Sequence, residues 1–170
     1  MNTESCLPLI GITMGYPSGI GPEILVRLLS DPSVFHMCNP FIFGDGTVLQ
    51  QAIDLYRSDL KINICPTLKH ARFSKDTIDV FEPDGFHVGQ VEPALPTVKT
   101  GRAMEAYINC SVDFAAKGNI DAVVTCPITK AALKLAGSKF HGHTELLASR
   151  TNTDEFAMMM AGQKLKVVLV

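Results

Sequence analysis

Two short segments hold most of the side chains able to do chemistry: Thr125-Cys126-Pro127-Ile128-Thr129-Lys130 and Phe140-His141-Gly142-His143-Thr144-Glu145, on either side of a short helical run. The second packs two histidines, a threonine and a carboxylate together in a chain that is 46% hydrophobic. Such a wall of hydroxyl, imidazole and ammonium groups can bind and orient an anionic or hydroxylated small molecule. Lys130 near a helix start is electrostatically misplaced if it serves only that helix, and well placed if it faces a phosphate or carboxylate. A solvated lysine is the plain alternative. His143 and Thr144, at the next helix start, can hydrogen-bond the same class of ligand. His141 and His143 can both reach a metal, but two ligands are too few for a closed site. Glu145 reads equally as a first-turn helix acid and as a catalytic group. His36, His70 and His87 stand alone and receive no role.

A third segment, Gly15-Tyr16-Pro17-Ser18-Gly19-Ile20-Gly21-Pro22-Glu23, follows an apolar run. Glycines let backbone N–H groups approach an anion, and a helix N-terminus adds partial positive charge. The spacing is neither G-x-G-x-x-G nor a P-loop. A tight strand-to-helix turn without a ligand explains it as well.

The elements that position these segments follow from periodicity and punctuation. Leu7 to Thr13, Phe41 to Phe43, Lys61 to Cys65, Thr77 to Phe81 and Asp121 to Thr125 read as strands. Helices are expected from Pro22 to about Ser30, from a Thr47 cap to about Arg57, from Thr97 to about Lys117, from Ile128 to Ala136 and from Thr144 to about Arg150. Gly118 and Gly137 are helix stops. Glu82 to Pro96 is a Gly/Pro-rich loop. Phe156 to Ala161 and Leu165 to Val170 read as strands joined at Gly162-Gln163, with Met158-Met159-Met160 as core packing and the final strand buried. Strands alternating with helices predict an α/β fold with a largely parallel sheet. A buried strand running to Val170 without a cap reads as part of a longer α/β protein.

A net charge of −2 on 170 residues offers no basic surface for nucleic acid or an anionic membrane. No apolar run reaches the ~20 residues of a membrane span, and no signal peptide is evident. Cys6, Cys38, Cys65, Cys110 and Cys126 are scattered without a C-x-x-C pair, which fits reduced thiols in the cytoplasm and argues against a cysteine zinc site.

Taken together, the three motifs resemble those of the 4-hydroxythreonine-4-phosphate dehydrogenase (PdxA) family. The family loop reads G-D-P-x-G-[IV]-G-P-E, its middle T-[AG]-P-[ILV]-x-K, then G-H-T-E. The resemblance covers the chain as an N-terminal half. It implies an isocitrate/isopropylmalate dehydrogenase-like two-domain fold and a homodimer. It also implies oxidation, with decarboxylation, of 4-phosphohydroxy-L-threonine in pyridoxal 5′-phosphate biosynthesis. NAD or NADP and a divalent metal (Zn, Mg or Co) would serve the complete protein. His143 and Thr144 fall on the family's substrate-binding positions, with Lys130 a secondary candidate for the phosphate side. The metal ligands and most of the NAD site would lie beyond Val170, so the chain alone is expected to be inactive. Tyr16 and Cys126 depart from the family's aspartate and small residue. The alternatives are a truncated, non-catalytic α/β remnant, or a relative acting on another four-carbon sugar-acid phosphate or a dihydrodiol carboxylate.

Overall fold

A computed structural model describes residues 7–169. Five parallel strands form one sheet in the order β3-β4-β2-β1-β5. They are β1 (Leu9–Thr13), β2 (Asn39–Phe43), β3 (Lys61–Ile64), β4 (Thr77–Phe81) and β5 (Ala122–Thr125). Four of the five residues of β2 are buried and three of those are Phe41, Ile42 and Phe43. This is the continuous apolar run expected of a parallel strand covered on both faces.

The cover comes from helices α1 (Gly21–Leu29), α2 (Gly46–Tyr56) and α3 (Val98–Ala116). The chain moves from β1 to β2 in one direction along the sheet and from β4 to β5 in the other. Right-handed crossovers therefore put α1 and α2 on one face and α3 on the opposite one. Phe114 of α3 seats among sheet aromatics, with ring centroids 5.0 Å from Phe43, 5.1 Å from Phe81 and 6.2 Å from Phe41. Each such pair adds about 0.5–1.5 kcal/mol to the area it buries.

Helix starts follow local chemistry. Thr97 caps α3 in a reciprocal box with Thr100, and Gly118 follows the helix at a φ of +70°. Asp45, and not the expected Thr47, caps α2: its carboxylate accepts from the Val48 N–H at 3.0 Å. Thr47 lies inside the first turn, where its hydroxyl is too far along to serve as the cap. Helix α4 (Lys130–Leu135) begins two residues later than expected, because Thr129 is extended. Helix α5 spans His143–Arg150.

The expected final strands exist, but not in a core. Strands β6 (Met158–Ala161) and β7 (Lys166–Leu169) form a separate antiparallel hairpin. Every one of their residues is exposed, including Met159 at 55% and Val168 at 52%. The reading of Met158 to Met160 as core packing, and of the last strand as buried, is therefore corrected. A two-stranded ribbon with both faces apolar has no second layer among the described residues to pack on. Cys6 and the Val170 end of that strand lie outside the described residues.

Candidate functional site

Strand β1 has β2 on one side and β5 on the other. The chain leaves it in opposite directions, so a crevice opens at the carboxyl ends of β1 and β5, the usual ligand position in open α/β sheets. The glycine segment after β1 folds against the turn after β5: Tyr16 N–H donates to the Pro127 carbonyl at 3.0 Å. Gly15 sits at a φ of +74°, and a Cβ there would lie 2.4 Å from the Pro127 oxygen. A Cβ on Gly21 would lie 2.0 Å from the Met14 oxygen. Close backbone approach accounts for both glycines without an anion.

Between these turns, α1 and α2 lies a cavity of about 660 Å³, in the size range of small-molecule sites. Tyr16 to Ile20, Val48, Gln51 and Ala52 of α2, Val91, Pro93, Ala94 and Pro96 of the loop before α3, and Pro127 to Thr129 contribute to its lining. The wall is mainly aliphatic and proline. Glu23 is its one charged side chain, so the lining supplies no cationic group.

The residues singled out from sequence divide around this cavity. Pro127, Ile128 and Thr129 line it, whereas Lys130 is exposed at the first position of α4 and does not. Cys126 is buried beneath, and burial pushes its thiol up to about 11, which excludes a thiolate nucleophile at neutral pH. Tyr16 turns its ring against Met104, Ala132 and Leu133, and its hydroxyl is buried with no partner.

His143 and Thr144 head α5, apart from the large cavity. The cap residue Gly142 has no side chain to accept from the first-turn N–H groups, which leaves them open to an acceptor. His143 is half-buried, and its Nε2 is buried without a hydrogen-bond partner. Burial lowers its pKa below the ordinary imidazole value, so the ring is neutral at neutral pH. Thr144 is exposed beside it and lines a smaller cavity of about 280 Å³ between α5 and the hairpin. His141 is exposed. His143, Thr144 and Lys130 thus sit on two different helix starts.

No local motif marks a cluster that the fold assembles from Asp45, Glu82 and His87, whose ligand-type atoms lie within 4.8 Å of one another. Its members are brought together across the loop between β4 and α3. The donor set does not fit a metal. Asp45 Oδ2 already accepts from the N–H groups of Val88 at 2.6 Å and Gly89 at 3.2 Å, and Glu82 Oε1 accepts from Gly46 N–H at 2.7 Å. His87 Nδ1, 3.0 Å from Asp45 Oδ2, carries the proton in the tautomer that makes that contact favourable, so Nδ1 is not available to a cation shared with the two carboxylates. The cluster ties a helix start to a loop.

Comparison with known proteins agrees with this architecture. The family described as "Pyridoxal phosphate biosynthetic protein PdxA" matches residues 36–170. The 4-hydroxythreonine-4-phosphate dehydrogenase of Desulforapulum autotrophicum is 49% identical over 163 residues, covering 96% of this chain and 48% of the relative. The D-threonate 4-phosphate dehydrogenase of Cupriavidus necator is 40% identical, with 96% and 49% covered. A crystal structure of a 4-hydroxythreonine-4-phosphate dehydrogenase from Burkholderia phymatum superposes with a TM-score of 0.89 at 36% identity, over 96% of this chain and 49% of that one. The chain spans about half the length of the relatives it matches. With its sheet order, its α5 start and the family match over residues 36–170 in agreement, the chain belongs to the PdxA family.

Proposed function

We propose that this chain is the N-terminal portion of an NAD(P)- and divalent-metal-dependent dehydrogenase. In this reading it oxidises 4-phosphohydroxy-L-threonine, with decarboxylation, in pyridoxal 5′-phosphate biosynthesis. The observation that carries the reading is the 49% identity over 163 residues with a 4-hydroxythreonine-4-phosphate dehydrogenase, a span that includes both polar motifs. The metal and most of the nicotinamide cofactor would be held by residues outside this chain, where they would supply Lewis acidity and a hydride acceptor. The protein works as a cytoplasmic homodimer. The free thiols Cys38, Cys65, Cys110 and Cys126 support the reducing compartment.

This chain's own contribution is to hold the substrate. The unpartnered Nε2 of a neutral His143 exchanges a hydrogen bond with a substrate hydroxyl or carboxylate, at no cost of breaking a protein contact. The uncapped first turn of α5 favours the anionic end of the same molecule. Thr144 adds a hydroxyl beside it, and Lys130, on the separate start of α4, is the secondary candidate for the phosphate side. A second reading, oxidation of D-threonate 4-phosphate, is favoured by the 40% identity to the Cupriavidus enzyme. The two substrates differ at C2, amine against hydroxyl.

The test uses the natively expressed protein, its intact mass measured first, assayed for NAD(P) reduction with both substrates. A kcat/KM at least ~10-fold higher for 4-phosphohydroxy-L-threonine supports the first reading. The opposite preference moves the assignment to D-threonate 4-phosphate. No turnover of either overturns the dehydrogenase reading in favour of a non-catalytic remnant.

A further inference from the structure

We propose that residues 88–96 form a strap that opens and closes as a unit over the 660 Å³ cavity, with Asp45 as its latch. The segment belongs to no helix or strand. It is held over the cavity at separated points. Asp45 Oδ2 accepts from the Val88 and Gly89 N–H groups. Gln51 Oε1 accepts from Val91 N–H at 3.1 Å, and the Ser18 carbonyl accepts from Ala94 N–H at 2.7 Å. From outside, Lys99 Nζ donates to the Val88 carbonyl at 2.8 Å.

Between these ties the strap lays Val91, Pro93, Ala94 and Pro96 against the cavity, while Glu92 and Leu95 face solvent. The cavity wall behind is closed off: Val48 and Ala52 are 2% and 5% exposed although both line it. The build of the strap suits movement as one piece. Pro93 and Pro96 stiffen its middle. Gly89 has a φ of +75° with no atom within 4 Å of where a Cβ would be, so it serves as a joint and not as a packing contact. Ala94 is held at a φ of +59°. That left-handed conformation costs a non-glycine residue about 1 kcal/mol or more, released when the strap lifts. Asp45 couples the strap to its seat, because Oδ1 of the same carboxylate caps the α2 helix that carries Val48, Gln51 and Ala52.

The test is hydrogen exchange on the whole protein, comparing wild type, Asp45→Ser and Gln51→Ala. Serine keeps a helix-cap oxygen but cannot reach the strap. Gln51→Ala changes a partly exposed side chain and guards against a folding defect in the first variant. The expected result is that Val88, Gly89, Val91 and Ala94 amides exchange together. In either variant all four should speed up by at least about tenfold, with Ile12, Phe43 and Ile53 unchanged. A cysteine placed by Ala52→Cys should be labelled by a thiol reagent correspondingly faster in the Asp45→Ser background. Independent exchange of the four amides, an Ala94 amide indifferent to both variants, or unchanged labelling of the cavity cysteine would overturn the strap.

Discussion

Strands β2 and β7 are both short and apolar, yet they have opposite surroundings. Phe41, Ile42 and Phe43 of β2 have no exposed surface, while Val167, Val168 and Leu169 of β7 are 40–52% exposed. The difference lies in what the neighbouring segments supply. Strand β2 has strand partners on both edges and helices on both faces. Among the described residues, strand β7 has one partner, β6, and no helix across either face. Apolar content thus states a strand's need for cover, and topology decides whether the described chain meets it.

The contrast can be broken by substitution. Phe43→Ala should cost about 3–5 kcal/mol, because it empties the contact among Phe41, Phe81 and Phe114. Val168→Ala should stay within about 0.5 kcal/mol. Urea unfolding followed by far-UV circular dichroism measures both, and equal losses would erase the distinction. Gly21→Ala probes the tightest backbone approach at the carboxyl end of the sheet. Its added methyl would meet the Met14 carbonyl, with an expected loss of about 1–3 kcal/mol in the same experiment. Tyr16→Phe should go the other way. Removing a buried hydroxyl that has no partner should leave stability unchanged or raise it by up to about 1 kcal/mol.

The α5 start lies between the two extremes, half-buried and titratable. His143 has a folded pKa below its unfolded value of about 6.5. The unfolded chain therefore takes the proton first as pH falls. Stability present above about pH 6.5 is lost progressively down to the folded value. His143→Gln should flatten that part of the stability–pH curve, and an unaltered curve would mean that other groups set it.

The sheet and its helices were legible because their signals are local. Capping at Thr97, the glycine stop at Gly118 and the β2 apolar run each lie within a few residues of the element they define. The position of the cap on α2 was missed because Asp45 sits between two glycines and reads as a turn. Its second role was not legible at all, since Oδ2 bonds Val88 and Gly89 more than 40 residues away. His87 likewise carries no local signal of its contact with Asp45. At the candidate site, the residue types at Thr125 to Lys130 and at His143 and Thr144 were visible. Their division between the rim of the large cavity and the separate start of α5 depends on packing that no short window contains.

The most direct test of the central claim is substrate affinity of His143→Ala in the natively expressed protein, measured by calorimetry with 4-phosphohydroxy-L-threonine beside the wild type. Affinity is expected to weaken by about tenfold or more, with the thermal unfolding midpoint nearly unchanged. Equal affinity in the two proteins would contradict the placement of the substrate at the start of α5.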